Sequence, residues 1–360
     1  MVEILETALE GPAVWKGPEI SQDTSWIEPL DDIQVKEVIA AVDHVRSAGK
    51  ELFRFGKEDF PLPTLGPRLE AIIQEVEYGR GFALLRGLPV AEFGSDYETL
   101  KILYWGLAQH LGTPITQNAR GDLISEVTDL GYDKSNANVR GYVTKQAGPF
   151  HTDSCDVVGL MCVHPSKEGG KSLLASSGAV FNAIREEHPE YLPVLFNGFH
   201  YDLRGEGATG DLNEVTHNRI PVFCYHEGFF NCRYNARSIL RGAIKIGEDL
   251  SEFEETAVNC VREFAGRDDL RLDMEFLPGD IQLNNNHAVL HSRTAFEDWP
   301  EAERKRRLYR LWLTIPNGRP LPENYADRLN TGPRGGVHVK EGAGFWSGAP
   351  KELEGKKLPL

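Results

Sequence analysis

The stretch "RRLYRLWLTI", residues 306–315, limits the fold more than any other part of the chain. It is long for a strand and rich in aromatic and β-forming residues. As a strand it has two faces, with Arg306, Arg310 and Trp312 on one and Leu311, Leu313 and Ile315 on the other. "RIPVFCYHEGFFNCRY" (219–234) reads as two strands about a turn at Glu227 and Gly228. "MEFLPGDIQLNNN" (274–286) reads as strand, Pro-Gly-Asp turn, strand. Nearer the start, "GFALLRGLPV" (81–90) is a short buried strand between glycines.

The early part of the chain has a different period. In residues 31–49, Val35, Val38, Ile39, Val42 and Val45 follow a helical repeat that Gly49 can end. Pro67 opens a second helix and Gly79 closes it. Helices over 95–112 and 251–266 start with Ser95 and Glu98, and with Ser251 and Glu254, spaced as capping boxes. Helices early and strands late predict a sandwich or barrel decorated with helices rather than alternating βαβ units. No GxGxxG opens a helix after a strand and no GxxxxGK[ST] occurs, so nucleotide-binding folds lose ground. The expected organisation is one structural domain. Residues 1–79 form a helical segment packed on a core over 80–316, and 317–360 form a Pro/Gly-rich tail.

Composition narrows the partners. A net charge of −15 argues against nucleic acid, since the only basic run, "ERKRR" (303–307), belongs to a strand entrance. No apolar run reaches the roughly 18 residues of a membrane helix, and no secretory leader is visible. The odd cysteine count without CxxC predicts buried, reduced thiols and a cytoplasmic location. Oligomeric state is not legible.

Chemistry concentrates in "FHTD", where His151 and Asp153, two apart on a strand, would aim at one point. Far downstream, "NNNHAVLHSR" supplies His287 and His291, the latter 140 residues from His151. Two imidazoles and one carboxylate on one side of a metal leave positions open, the arrangement of non-heme Fe(II) oxygenases. The i, i+4 histidines also suit a helical zinc hydrolase, but Ala288 stands where that motif needs a glutamate. A non-catalytic binding protein is the third reading. Arg306 and Arg310 either clamp carboxylates by bidentate hydrogen bonds or sit on a solvated edge strand.

Taken in order, "FHTD", "GGKS", "PGD…NNNHAVLHSRTAFED" and "RRLYRLWL" resemble the TauD/TfdA family of Fe(II)- and 2-oxoglutarate-dependent dioxygenases. "GFALLRGLP" is similar to an early strand of that family, so the resemblance spans residues 80–316. It implies a mainly β fold, a cupin-like double-stranded β-helix (jelly roll) with peripheral helices. By position it implies His151, Asp153 and His291 as iron ligands, with His287 outside the ligand set. Ser172 and Arg306 would bind 2-oxoglutarate, and Arg310 an anionic group of the substrate. A one-residue slide would substitute Arg307 for Arg306, but strand parity favours Arg306. The implied reaction couples O2 and 2-oxoglutarate, giving succinate and CO2, to oxidation of a C–H bond in a small anionic substrate. Hydroxylation is the expected outcome, with desaturation or cyclisation open to the same radical. The stretches 141–148 and 202–211 either line the pocket or are surface turns.

Overall fold

The structure is a computed structural model that describes residues 4–131 and 143–343. The first elements are α1 (Gly17–Ile20), β1 (Ile27–Pro29), α2 (Asp32–Ser47) and α3 (Leu65–Tyr78). Asp31 starts α2 by accepting from the N–H groups of Ile33 and Gln34, and the Gln34 side chain accepts from Asp31 in return. Val38, Val42 and Val45 lie on its buried face, as their period predicts. β2 (Phe82–Arg86), α4 (Val90–Phe93), α5 (Tyr97–Leu111), β3 (Thr113–Ile115) and β4 (Ile124–Val127) follow. The expected Ser95/Glu98 capping box of α5 does not form. Asp96 holds the capping position and accepts from the Thr99 N–H at 3.1 Å, while Glu98 pairs with Lys101. Ser95 lies one residue too early to reach the orphan N–H groups.

The second half contains β5 (Val157–His164), β6 (Glu168–Gly169), β7 (Ser172–Ser176), α6 (Ser177–Glu187) and α7 (Leu192–Asn197). Next come β8 (Phe223–His226), β9 (Phe229–Cys232), α8 (Ala236–Ile246) and α9 (Glu252–Ala265). Last are β10 (Arg271–Met274), β11 (Ile281–Asn285), β12 (Val289–Arg293), β13 (Phe296–Glu297), β14 (Arg307–Thr314) and α10 (Glu323–Ala326). The β8–β9 hairpin turns at Glu227 and Gly228, both at positive φ, as the sequence indicates. α9 carries the predicted Ser251/Glu254 capping box.

Seven strands form one sheet in the order β1-β2-β11-β5-β14-β3, with β4 also paired to β14. A second sheet has the order β10-β7-β12. The Pro-Gly-Asp turn therefore does not join a hairpin; it carries the chain from the small sheet at β10 to the large one at β11. Gly279 in that turn has φ +84°, and a Cβ there would lie 2.3 Å from the Leu88 carbonyl oxygen.

Alternation along the strands builds the layers. Phe82 and Leu84 of β2 pack against Leu174, Leu272 and Val289 of the small sheet. Ala83 and Leu85, and Tyr309, Leu311 and Leu313 of β14, face the opposite way into α2, α3 and α5. Leu173 and Ala175 of β7 pack outward against α6, α7 and α9. The result is two sheets face to face, each covered outside by helices. More described residues lie in helices than in strands, so "mainly β" fits the centre and not the whole chain. Two outer sheet faces need covering, and helices cover them.

All five cysteines are buried and unbridged. Among the described residues, no helix is long and apolar enough to cross a membrane. Between Ile315 and Ala343 parts of the chain are packed on the core. Tyr325 is fully buried, and Leu329 and Val337 pack against Trp312.

Candidate active site

The inner face of β14 looks into the space between the sheets. Leu308, Arg310 and Trp312 line a cavity of about 240 Å³ together with Val158 and Leu160 of β5. The parity read from the sequence thus describes the real strand.

His151 and Asp153 converge, but not by strand alternation. His151 forms only an isolated antiparallel bridge with His291, exchanging two main-chain hydrogen bonds of 3.0 Å. The chain then leaves the ladder. The Thr152 N–H donates to Tyr234 O, and the Asp153 N–H donates to Asn286 Oδ1 at 2.8 Å. β5 begins only at Val157. Competing partners for successive N–H groups break the expected strand.

One ligating atom from each of His151, Asp153 and His291 lies within 4.8 Å of the other two. His151 Nε2 is 3.9 Å from Asp153 Oδ1, and His291 Nε2 is 3.8 Å from Asp153 Oδ2. These separations are too long for hydrogen bonds and leave room between the atoms. His151 Nδ1 donates to the Pro149 carbonyl at 2.9 Å, which leaves the Nε2 lone pair facing the cluster. Burial pushes the His291 pKa down to about 3, helped by the neighbouring His151, so this imidazole is neutral. Burial works to raise the Asp153 pKa, but Arg310, His291 and His151 outweigh it and bring it to about 2. Trp312 Nε1 donates to Asp153 Oδ2 at 3.1 Å and orients the carboxylate. The buried His291 Nδ1 has no partner. Two imidazoles and a fixed carboxylate with lone pairs turned toward one point suit a divalent first-row metal ion.

His287 stands apart from this cluster. It lies fully inside, with Nε2 3.0 Å from Asp156 Oδ1. "HAVLH" is a turn leading into β12 rather than a helix, so its histidines do not share a helical face.

Ser172 and Arg306 line the same cavity. Ser172 is buried and donates to Gln282 Oε1 at 3.0 Å. Arg306 is 4% exposed, and its Nη1 has no partner. Burial pulls its pKa down to about 9, with Arg293 adding to the effect. Arg307 turns away, its guanidinium 3.8 Å from the Tyr97 ring and its Nε 3.7 Å from Glu126. Arg310 Nε donates to Gln117 Oε1 at 2.8 Å, and Nη1 is 3.9 Å from Asp153.

Both stretches singled out in the sequence reach the cavity. Gly148 lines it, although residues 141 and 142 of that stretch lie outside the described residues. Asp202, Leu203, Arg204 and Glu206 line it from the other. Sequence reasoning missed Arg233, which also lines the cavity. Its only local signal is a lone cation in the apolar run "FFNCRYNA".

A family model described as "Taurine catabolism dioxygenase TauD, TfdA family" matches residues 46–312. The chain is 31% identical over 326 residues to FR-33289 synthase of Streptomyces rubellomurinus, covering 89% of this chain and 95% of that protein. It is 29% identical over 316 residues to the taurine hydroxylase-like protein SAT17 of Stachybotrys chartarum, covering 84% and 79%. In fold it is similar to asparagine oxygenase solved with Fe(II), 2S,3S-3-hydroxyasparagine and succinate. That match has a TM-score of 0.63, 16% identity, and covers 80% of this chain and 93% of the other. The non-heme iron oxygenase OrfP, solved with Fe and alpha-ketoglutaric acid, matches with a TM-score of 0.60 at 13% identity, covering 87% and 99%. The family works with Fe(II), 2-oxoglutarate and O2, which agrees with the donor set of the His-Asp-His cluster. The chain belongs to the TauD/TfdA family of Fe(II)- and 2-oxoglutarate-dependent dioxygenases.

Proposed function

We propose that this enzyme hydroxylates an unactivated C–H bond of a small anionic molecule, carboxylate- or amino acid-like, while 2-oxoglutarate and O2 become succinate and CO2. The observation that carries the reading is the meeting of His151, Asp153 and His291 in one cavity with Arg306 and Arg310. The relatives in fold support the substrate class. Asparagine oxygenase was solved with a hydroxyasparagine, and OrfP with (3S)-hydroxy-L-Arg. We also read the paired sheets as a double-stranded β-helix within a single domain, with residues 1–79 and 317–360 packed on it.

In this reading His151, Asp153 and His291 hold Fe(II). Bound there, the ion supplies O2 activation coupled to decarboxylation of 2-oxoglutarate. The chain does the rest. Pro149 fixes the His151 tautomer, and Trp312 holds the Asp153 carboxylate in place. Arg306, with an unshared Nη1, and Ser172 seat the distal carboxylate of 2-oxoglutarate. Leu160, Leu308 and Phe276 line the cavity with apolar surface and keep water out. Arg310 faces the substrate and attracts its negative charge.

The direct test is succinate formation from 2-oxoglutarate with Fe(II) and a panel of amino acids and other small acids. Stoichiometric succinate and hydroxylated product are expected with at least one of them. A protein that neither binds nor consumes 2-oxoglutarate would contradict the reading. Arg306→Ala is expected to raise the KM for 2-oxoglutarate by about 100-fold, because it removes a desolvated charged partner. An unchanged KM would remove Arg306 from the role. Trp312→Phe keeps the aromatic packing and deletes one hydrogen bond to Asp153. Loss of an orienting partner typically lowers metal affinity about 10–100-fold, and Fe(II) titration would show it.

A further inference from the structure

Among the described residues, two guanidinium Nη1 atoms are buried without a hydrogen-bond partner, those of Arg306 and Arg233. Both side chains line the same cavity. Arg306 has a role in the reading above, whereas Arg233 has none.

Arg233 is 6% exposed. Its Nη2 donates to the Arg328 carbonyl at 2.8 Å, and its guanidinium stacks 4.7 Å from the centre of the Tyr201 ring. Neither contact neutralises its charge. The nearby Arg328 adds a second cation whose counter-ion, Asp156, is already engaged at 2.7 Å. A buried cation without an anion is costly, and burial accordingly draws the Arg233 pKa down to about 10.

The surroundings of Arg233 lead toward the metal cluster. The Thr152 N–H donates to Tyr234 O at 2.8 Å, and the Tyr234 N–H donates to Thr152 Oγ1 at 3.0 Å. Arg233 is therefore next to Tyr234, which is clamped to Thr152, the residue between His151 and Asp153. Two residues on, Asn235 caps α8, its side chain accepting from the Ser238 N–H. Asn235, Arg237 and Ser238 line the same cavity, so the positive end of an eleven-residue helix opens into it beside Arg233.

We infer that Arg233 and the first turn of α8 form a seat for an oxyanion of the substrate, separate from Arg306 and from Arg310. The chemistry shared by its ligands is a compact oxyanion: carboxylate, sulfonate or phosphonate. This rests on the proposed oxygenase reading and makes Arg233 a specificity-determining residue for it.

The test uses the full chain loaded anaerobically with Fe(II) and saturating 2-oxoglutarate, which keeps the Arg306 end filled. Acetate, methanesulfonate and methylphosphonate are titrated by calorimetry. At least one is expected to bind, and the three arms rank the oxyanion. Arg233→Gln should weaken that probe by about tenfold or more. Arg233→Lys, which keeps charge without the planar fork, should fall between. Arg310→Gln tests whether the probe sits at Arg310 instead. Binding of 2-oxoglutarate reports that each variant is folded, and the lysine variant carries the test if the glutamine one does not fold. The inference is overturned if no probe binds the wild type. It is also overturned if both Arg233 variants bind as the wild type does, or if only Arg310→Gln loses the probe. Wild-type protein that fails to bind 2-oxoglutarate would instead sink the oxygenase reading, a result separable from these.

Discussion

Asp153→Ala is expected to yield a folded protein that neither retains Fe(II) nor forms succinate. Asp153 is the one oxygen donor of the cluster and the one carboxylate facing its two imidazoles. Loss of a partner that only orients a ligand typically lowers metal affinity about 10–100-fold, so loss of the ligand should lower it on the order of 1000-fold or more. The fold should survive, because the His151–His291 bridge is made of main-chain hydrogen bonds that the substitution does not touch. Anaerobic iron titration and a succinate assay on the same sample check both halves. A variant with normal iron content and turnover would remove the triad from the mechanism.

Asp156→Ala should have the largest effect on stability. Asp156 is fully buried three residues after Asp153. It receives hydrogen bonds from His287 at 3.0 Å, Arg328 at 2.7 Å, Arg334 at 2.5 Å and the Ile315 N–H at 3.1 Å. Removing the carboxylate leaves the buried Arg328 without a counter-charge, which costs about 3–5 kcal/mol. Denaturant unfolding measures the loss, and a loss below about 1 kcal/mol would mean the cluster relaxes or hydrates freely. pH supplies a second check. Burial works to raise the Asp156 pKa, but His287 and Arg328 hold it far below the usual carboxylate range. Its contribution is fully present above an unfolded pKa of about 3.9 and is lost as pH falls toward the folded value. Asp156→Asn should flatten this acid limb of the stability profile.

What the sequence revealed depends on how local each signal is. The two faces of residues 306–315 follow from alternation, and together with the family resemblance they favoured Arg306 over Arg307; Arg306 lines the cavity and Arg307 does not. The His-x-Asp pair was visible as a pair, although the strand invoked to align it is broken by bonds to Tyr234 and Asn286. α6 and α8 went unread in stretches where strand and turn signals stood on either side. Arg233 and the Arg328–Asp156–Arg334 cluster were out of reach, because nothing nearby in sequence marks a cation whose hydrogen-bond partners lie 95 to 178 residues away.

The reciprocal main-chain bonds between positions 151 and 291 act as a rung. It ties the two Cα positions together, so the separation of the points where the imidazoles attach is inherited from the peptide backbone rather than set by whatever occupies the gap. If the two rings hold iron as proposed, the separation of their attachment points should be the same before the ion binds and after it leaves.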